Sequence, residues 1–347
     1  MLRRTLLAAV VSLSIAALAV ADTVYTTTGL SFARVEVIGI DGDELRFRNS
    51  QGRESTRPIN EVARLELDGQ RGFNEAEIAF TSRKFGEATD GYLKTIRGGF
   101  PEWMKRYAAT RLMTAAMEVG RFEDAVAGYV VLAEQAPTEA TTRKPAAPNK
   151  IGQLDEAADE LREALARRPS EEVEQALLSL LLDVERGRKD NAETAKIIER
   201  LTVLAGDADG SGLGTAQLAD LKLSQAQLAL DSGDLDEAAA AINDNAKLFA
   251  LPRQQASALF TLANIAEARA GQDRQKILDA ALAYMKVVAH FESIPDAPHV
   301  SASLLKVADL HAQIGETATA RQLYEAVAEE YPASDEAAVA ERKLGDM

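Results

Sequence analysis

The chain has no cysteine. Disulfides, thiol catalysis, cysteine-ligated zinc and acylation of a lipoprotein cysteine are therefore excluded. Histidine is nearly as scarce: there are three in 347 residues, and His290, His299 and His311 lack the short spacing of a metal site. Aromatics make up 5% of the chain, while alanine carries much of the 46% apolar share. Small apolar side chains suit many close-packed helix pairs better than one thick core. No Ser-His-Asp order, phosphate-binding glycine loop or HExxH motif occurs, so neither an enzyme nor a cofactor is expected. Positive charge is also short, with 39 Lys and Arg against 54 Asp and Glu, a net −15. Such a surface repels phosphate backbones and anionic lipid, which excludes nucleic acid as a partner and keeps an extended chain soluble.

Residues 1–21 depart from this balance. Arg3 and Arg4 precede an apolar run from Leu6 to Val20, and Ala19 and Ala21 flank Val20. That is the layout of a secretory signal peptide with cleavage before Asp22. Removing its two positive charges from −15 leaves −17 on the remainder. The run is short for a bilayer span of ~20 residues, so no integral span is expected after cleavage; an uncleaved N-terminal anchor is the alternative. Either way the body is expected outside the cytoplasm, in a bacterial periplasm or another extracytoplasmic space.

From 22 to 70 the period is that of strands. Thr23–Thr28, Phe32–Ile40, Glu44–Asn49, Arg53–Pro58 and Val62–Leu67 are short β-prone runs separated by turn residues. Leu45 and Phe47 alternate with Arg46 and Arg48, predicting one buried and one wet face, and Phe32, Val35 and Val37 supply the facing side. Five strands at this spacing resemble a small SH3-like or Sm-like barrel. The export signal argues against the RNA binding known for Sm-like barrels, leaving a cap or protein-docking module. At under 50 residues the module is marginal alone and should pack on the first helices.

The clearest pattern lies at Ser301–Pro332. Leu304, Val307, Ala308 and His311 share one face of a predicted helix, which Gly315 ends in the left-handed conformation. Ala320, Tyr324 and Val327 line a second helix, and Pro332 stops it. This order resembles a tetratricopeptide (TPR) repeat, with a period of ~34 residues. Trp103–Pro137 matches it offset for offset: Gly120, Ala125, Tyr129 and Pro137 answer Gly315, Ala320, Tyr324 and Pro332.

The remaining copies are looser: Phe73–Arg97, a second half after Gly152, Glu171–Leu204 turning at Arg186-Gly187, Thr215–Pro252 and Gln254–Phe291. Six or seven pairs result, closed by a capping helix over Ser334–Leu344 with Ser334 as N-cap. The expected architecture is mainly α, a TPR-like α-solenoid of antiparallel helix pairs behind the β module. Repeats fill 71–137 and 151–347, and 138–150 form a linker or loop where a first helix was lost.

Asp207, Asp209 and Ser211 open like an EF-hand loop, but Leu218 stands where the twelfth-position glutamate belongs and Asp220 comes two residues late. Calcium there is therefore a weak candidate beside the reading as an acidic insert. The resemblance to TPR proteins implies a non-enzymatic scaffold binding other proteins or peptide segments on the first-helix face. In the matching units that face presents Thr110, Thr114 and Glu118, then Leu223 and Gln227, then Leu305 and Asp309. The last repeats are similar to those of envelope-assembly proteins, which places the expected scaffold in the cell envelope. A self-associating structural component is the alternative.

Overall fold

A computed structural model describes residues 22–148, 151–206, 212–294 and 297–347. The expected signal, and the calcium candidates Asp207, Asp209 and Ser211, lie outside the described residues. The chain divides into two compact units, one of residues 1–148 with 155–167, the other of 149–154 with 168–347.

The first unit opens with five strands: β1 (Asp22–Thr26), β2 (Ser31–Asp41), β3 (Glu44–Asn49), β4 (Glu54–Pro58) and β5 (Val62–Glu66). They form one antiparallel sheet in the order β4-β3-β2-β1-β5. A short 3-10 turn, Ile59–Glu61, joins β4 to β5. The alternation in β3 does what its sequence demands, since Leu45 and Phe47 are buried while Arg46 and Arg48 pair with Glu54 on the wet face. The pairings described make a sheet with β4 and β5 at its edges, and a β4–β5 ladder that would close it into a barrel is not among them.

Helices follow: α1 (Arg71–Thr81), α2 (Phe85–Arg97), α3 (Glu102–Glu118), α4 (Phe122–Gln135), α5 (Pro137–Thr142) and α6 (Ile151–Ala166). Val24, Leu45, Phe47 and Leu65 of the sheet share a single core with Phe73, Tyr92, Tyr107 and Leu112 of α1–α3. The Trp103 ring lies against Gly39 of β2, the place where β2 and β3 shift register. Glycine lets α1/α2 and α3/α4 pack closely. A Cβ on Gly91 would stand 2.6 Å from that of Ala76, and one on Gly128 would stand 2.9 Å from the Ala109 carbonyl. Part of the expected linker is ordered: α5 holds Ala140 fully buried, and Glu139 accepts from Arg106. A six-residue helix is too short to show periodicity, and the prolines after it masked it. Residues 143–148 carry no regular structure, as expected of a loop.

The second unit holds α7 (Glu171–Arg188), α8 (Asn191–Gly206), α9 (Gly212–Asp231), α10 (Leu235–Asn243), α11 (Pro252–Ala270), α12 (Arg274–Phe291), α13 (Val300–Gln313), α14 (Thr317–Glu330) and α15 (Asp335–Gly345). Consecutive members pair antiparallel in the TPR-like manner, and each unit is mainly such pairs. Gly315 and Gly120 end their helices with φ of 81° and 71°, as expected. The turn placed at Arg186-Gly187 falls instead at Lys189, a non-glycine residue with φ 61°. Gly187 stays helical because its missing side chain seats Leu154; a Cβ there would be 2.7 Å from a Leu154 methyl. Ser334 caps α15 by accepting from the Ala337 N–H at 3.2 Å.

Candidate protein-binding surfaces

A sheet edge leaves N–H and C=O groups that must find partners when buried. At β5 the helices supply them with side chains. Glu77 Oε2 accepts from the Leu65 N–H at 2.7 Å, and Asn74 both accepts from and donates to the Leu67 backbone at 2.8 Å. Arg111 donates to the Val62 and Ala63 carbonyls at 2.7 and 3.1 Å. Two tyrosines complete the cluster: Tyr92 donates to Glu77 Oε1, Tyr107 donates to Oε2 at 2.9 Å, and Arg111 donates to the Tyr107 hydroxyl at 2.9 Å. Glu77 is 1% exposed. Burial pushes its carboxyl above the usual range, opposed by the Arg111 charge and the donated hydrogen bonds. Burial likewise pushes both tyrosine hydroxyls up, with the Glu77 charge adding to it.

The same three-part contact recurs in the second unit. Tyr324 of α14 donates to Asp309 of α13 at 2.6 Å, and Lys343 of α15 reaches the same oxygen. The Tyr284 hydroxyl of α12 lies 2.5 Å from Glu267 of α11, which also accepts from Lys306 of α13 at 3.1 Å. In these three pairs a tyrosine of the second helix meets an acid of the first. Lys306 and Lys343 of the following helices bond that acid directly, whereas Arg111 acts on Glu77 through its charge and bonds the Tyr107 hydroxyl. Tyr324 and Asp309 are 15 residues apart, like Tyr92 and Glu77. This ladder was invisible in hydrophobic periodicity; the signal that could have found the Glu77 and Asp309 rungs is an acid 15 residues before the tyrosine and a base ~34 after the acid. The Glu267 rung, with Tyr284 at 17 and Lys306 at 39, departs from that spacing.

Against this geometry the expected groove residues separate. In α3, Thr114 and Glu118 are exposed, beside the exposed Met117 and Val119. Thr110 is half-buried and donates to its own helix at Tyr107. Leu223 is half-buried against the α9–α11 core, and Gln227 donates to Asp231 at 2.8 Å. Leu305 packs into the core shared with α14 and α15, and Asp309 is held by the ladder. The structure thus leaves Thr114, Glu118 and part of Gln227 open to a partner, and spends Leu305 and Asp309 on the C-terminal cap.

Chemistry is sparse elsewhere. Among the described residues no group of three or more His, Asp or Glu could hold a metal ion. Leu218 and Asp220 lie within α9, where Asp220 accepts from Gln254 at 2.8 Å. His311 pairs with Glu316 at 2.6 Å. His299 stacks on Phe260 and lies 3.2 Å from the Ser257 hydroxyl, but among the described residues no carboxylate bonds its other ring nitrogen, so the pair is not a nucleophile relay. No described helix is long and apolar enough to cross a membrane.

No family model matches the chain, and no curated protein matches it. Among solved structures it is similar to the nearly identical TPR-like repeats of a Podosopora anserina protein provisionally assigned as a kinesin light chain. The identity is 18%, with 57% of this chain and 94% of that one covered, at a TM-score of 0.39. A point variant of that protein gives 18%, 59%, 98% and 0.41. The TPR domain of P58(IPK) gives 15%, 81%, 90% and 0.20. Likeness at this level carries no argument, and the TPR-like description rests on the helix pairing itself.

Proposed function

We propose that this chain is an exported, non-enzymatic scaffold of the bacterial cell envelope that holds a segment of another protein on the first-helix face of its repeats. The observation that carries the reading is the exposed set Thr114, Met117, Glu118 and Val119, apolar and acidic together at the open end of α3. A mixed surface of that kind suits an extended segment with some basic character. Export is supported by the signal-like residues 1–21, and the β sheet is read as a partly open SH3-like module serving as cap.

A photo-crosslinking residue placed at Thr114, at Glu118 or at Gln227 tests this in isolated envelope. Crosslinks to one distinct protein from these positions, and none from exposed Glu329, are expected. Crosslinks only to further copies of the chain would replace the scaffold with a self-associating structural component. Mass spectrometry of the native protein should find Asp22 at its N-terminus, whereas an intact chain in the membrane fraction would favour the anchored form.

A further inference from the structure

We propose that the groove between α8, α9 and α10 is a second docking site, taking a short partner segment that presents apolar side chains together with a lysine or arginine. The proposal rests on the protein-binding reading above but places the contact away from the first-helix face. The groove encloses about 710 Å³. Ile198 and Ala229 are buried in its floor, Leu228 is half-buried, and Val203 stands in its wall 49% exposed. An exposed valine over an apolar floor gains by being covered.

The rim decides what covers it. Glu199 of α8, Glu237 of α10 and Asp234 just before α10 stand against a single cation among the lining residues, Lys222, which donates to Gln225 at 3.2 Å. Asp234 caps α10. Glu199 and Glu237 have no cationic partner among the described residues. Junction carboxylates nearby are treated differently: Asp220 takes Arg253, Asp236 takes Arg269, Glu267 takes Lys306 and Asp309 takes Lys343. Glu199 and Glu237 lie on second helices, outside the first-helix acids of the ladder. The steps of 33 and 34 residues that carry Asp220 to Arg253 and Asp309 to Lys343 lead from them to Ser232, Gly233, Ala270 and Gly271, none of them cationic. The rim is left acidic where the apolar groove opens. A partner's Lys or Arg supplies the missing charge beside a low-dielectric floor, where it counts for more than on an open surface. A second copy of a chain this acidic offers the wrong charge.

The test pans a random 12-residue peptide display library on the full chain and synthesises the consensus peptide. Its affinity is then measured on the parent, on Val203→Asp, on the Glu199→Lys/Glu237→Lys pair and on the Thr114→Arg/Glu118→Arg pair, with circular dichroism confirming that each is folded. Expected is a consensus of apolar residues beside Lys or Arg whose affinity falls at least tenfold on the first two variants and holds on the third. A peptide that ignores the groove variants but is lost on Thr114→Arg/Glu118→Arg overturns the groove and keeps the first-helix face. An acidic consensus overturns the groove as well, and failure to enrich any peptide overturns both.

Discussion

Glu77 and Asp309 occupy the same rung of the ladder, each with a tyrosine 15 residues later and a base 34 residues later, yet they do different work. Glu77 is 1% exposed, and its Tyr92 and Tyr107 are no more open. The Asp309 side chain is 32% exposed and its Lys343 41%. The difference is the sheet. In the first unit β5 lays an open edge along α1, and a carboxylate that elsewhere sits in water becomes the acceptor for a strand N–H. A repeat contact of modest worth is thereby converted into a buried network in which every lost partner strands another polar group.

The largest effect should come from removing the sheet. Deleting residues 22–70 exposes the apolar surface of α1–α3 that shares its core and leaves Glu77 and Arg111 without backbone partners. The truncated chain should lose cooperative unfolding of the first unit, seen as a missing or strongly lowered thermal transition. Survival of that transition unchanged would make the sheet a separate dock.

Next in size is Glu77→Ala, which strands two tyrosine hydroxyls, an amide and the Arg111 charge. Breaking a buried charged network this way costs ~3–5 kcal/mol, against ~0–1 for Asp309→Ala at the half-exposed rung. Equal shifts in thermal midpoint at the two positions would erase the comparison.

Overpacking comes third. Gly91→Val and Gly128→Val meet neighbours already at contact, and Ala125→Trp and Ala320→Trp wedge their pairs apart, at ~1–3 kcal/mol each or more for tryptophan. The same tryptophan at exposed Glu329 should be nearly silent in a melting curve.

The smallest effect is one of pH, and it has opposite signs in the two units. Burial holds the Glu77 carboxyl above its ordinary value, so the fold favours its protonated form. That contribution is fully present below the unfolded carboxylate pKa of ~4.3 and is lost as pH rises through the raised value. His299 runs the other way: burial, opposed by the Glu336 charge, lowers its pKa. Its neutral form is favoured, and stability falls as pH drops below the unfolded value of ~6.5. Glu77→Gln should flatten the first trend and His299→Gln the second, in denaturant titrations from pH 4 to 8.

Hydrophobic period and turn residues made most of this architecture legible, because Gly315, Gly120, Ala320 and Tyr324 each carry a backbone or packing demand that few other residues meet. The exposed binding candidates were half legible. Thr114 and Glu118 follow from register alone, but Leu305 and Asp309 are taken up by α15, a tertiary contact that no local pattern encodes. Lys189 and Arg83 turn their chains at positive φ without glycine, which is why the turn after α7 was misplaced onto Gly187. The buried Glu77 escaped for a related reason. An acid on a short amphipathic helix reads as solvated unless its partners at Leu65, Tyr107 and Arg111 are already known to converge.

Native-state amide hydrogen exchange compares the two rungs most directly. Leu65 on β5 and Leu67 just beyond it, whose N–H groups are held by Glu77 and Asn74, should open with the same free energy as the buried amides of α2 and α3, and Glu77→Ala should lower all of them together. Amides flanking Asp309 should be unmoved by Asp309→Ala beyond ~1 kcal/mol. Exchange of the β5 amides at a markedly lower free energy than α2 and α3, or a Glu77→Ala effect confined to Leu65, would contradict the account.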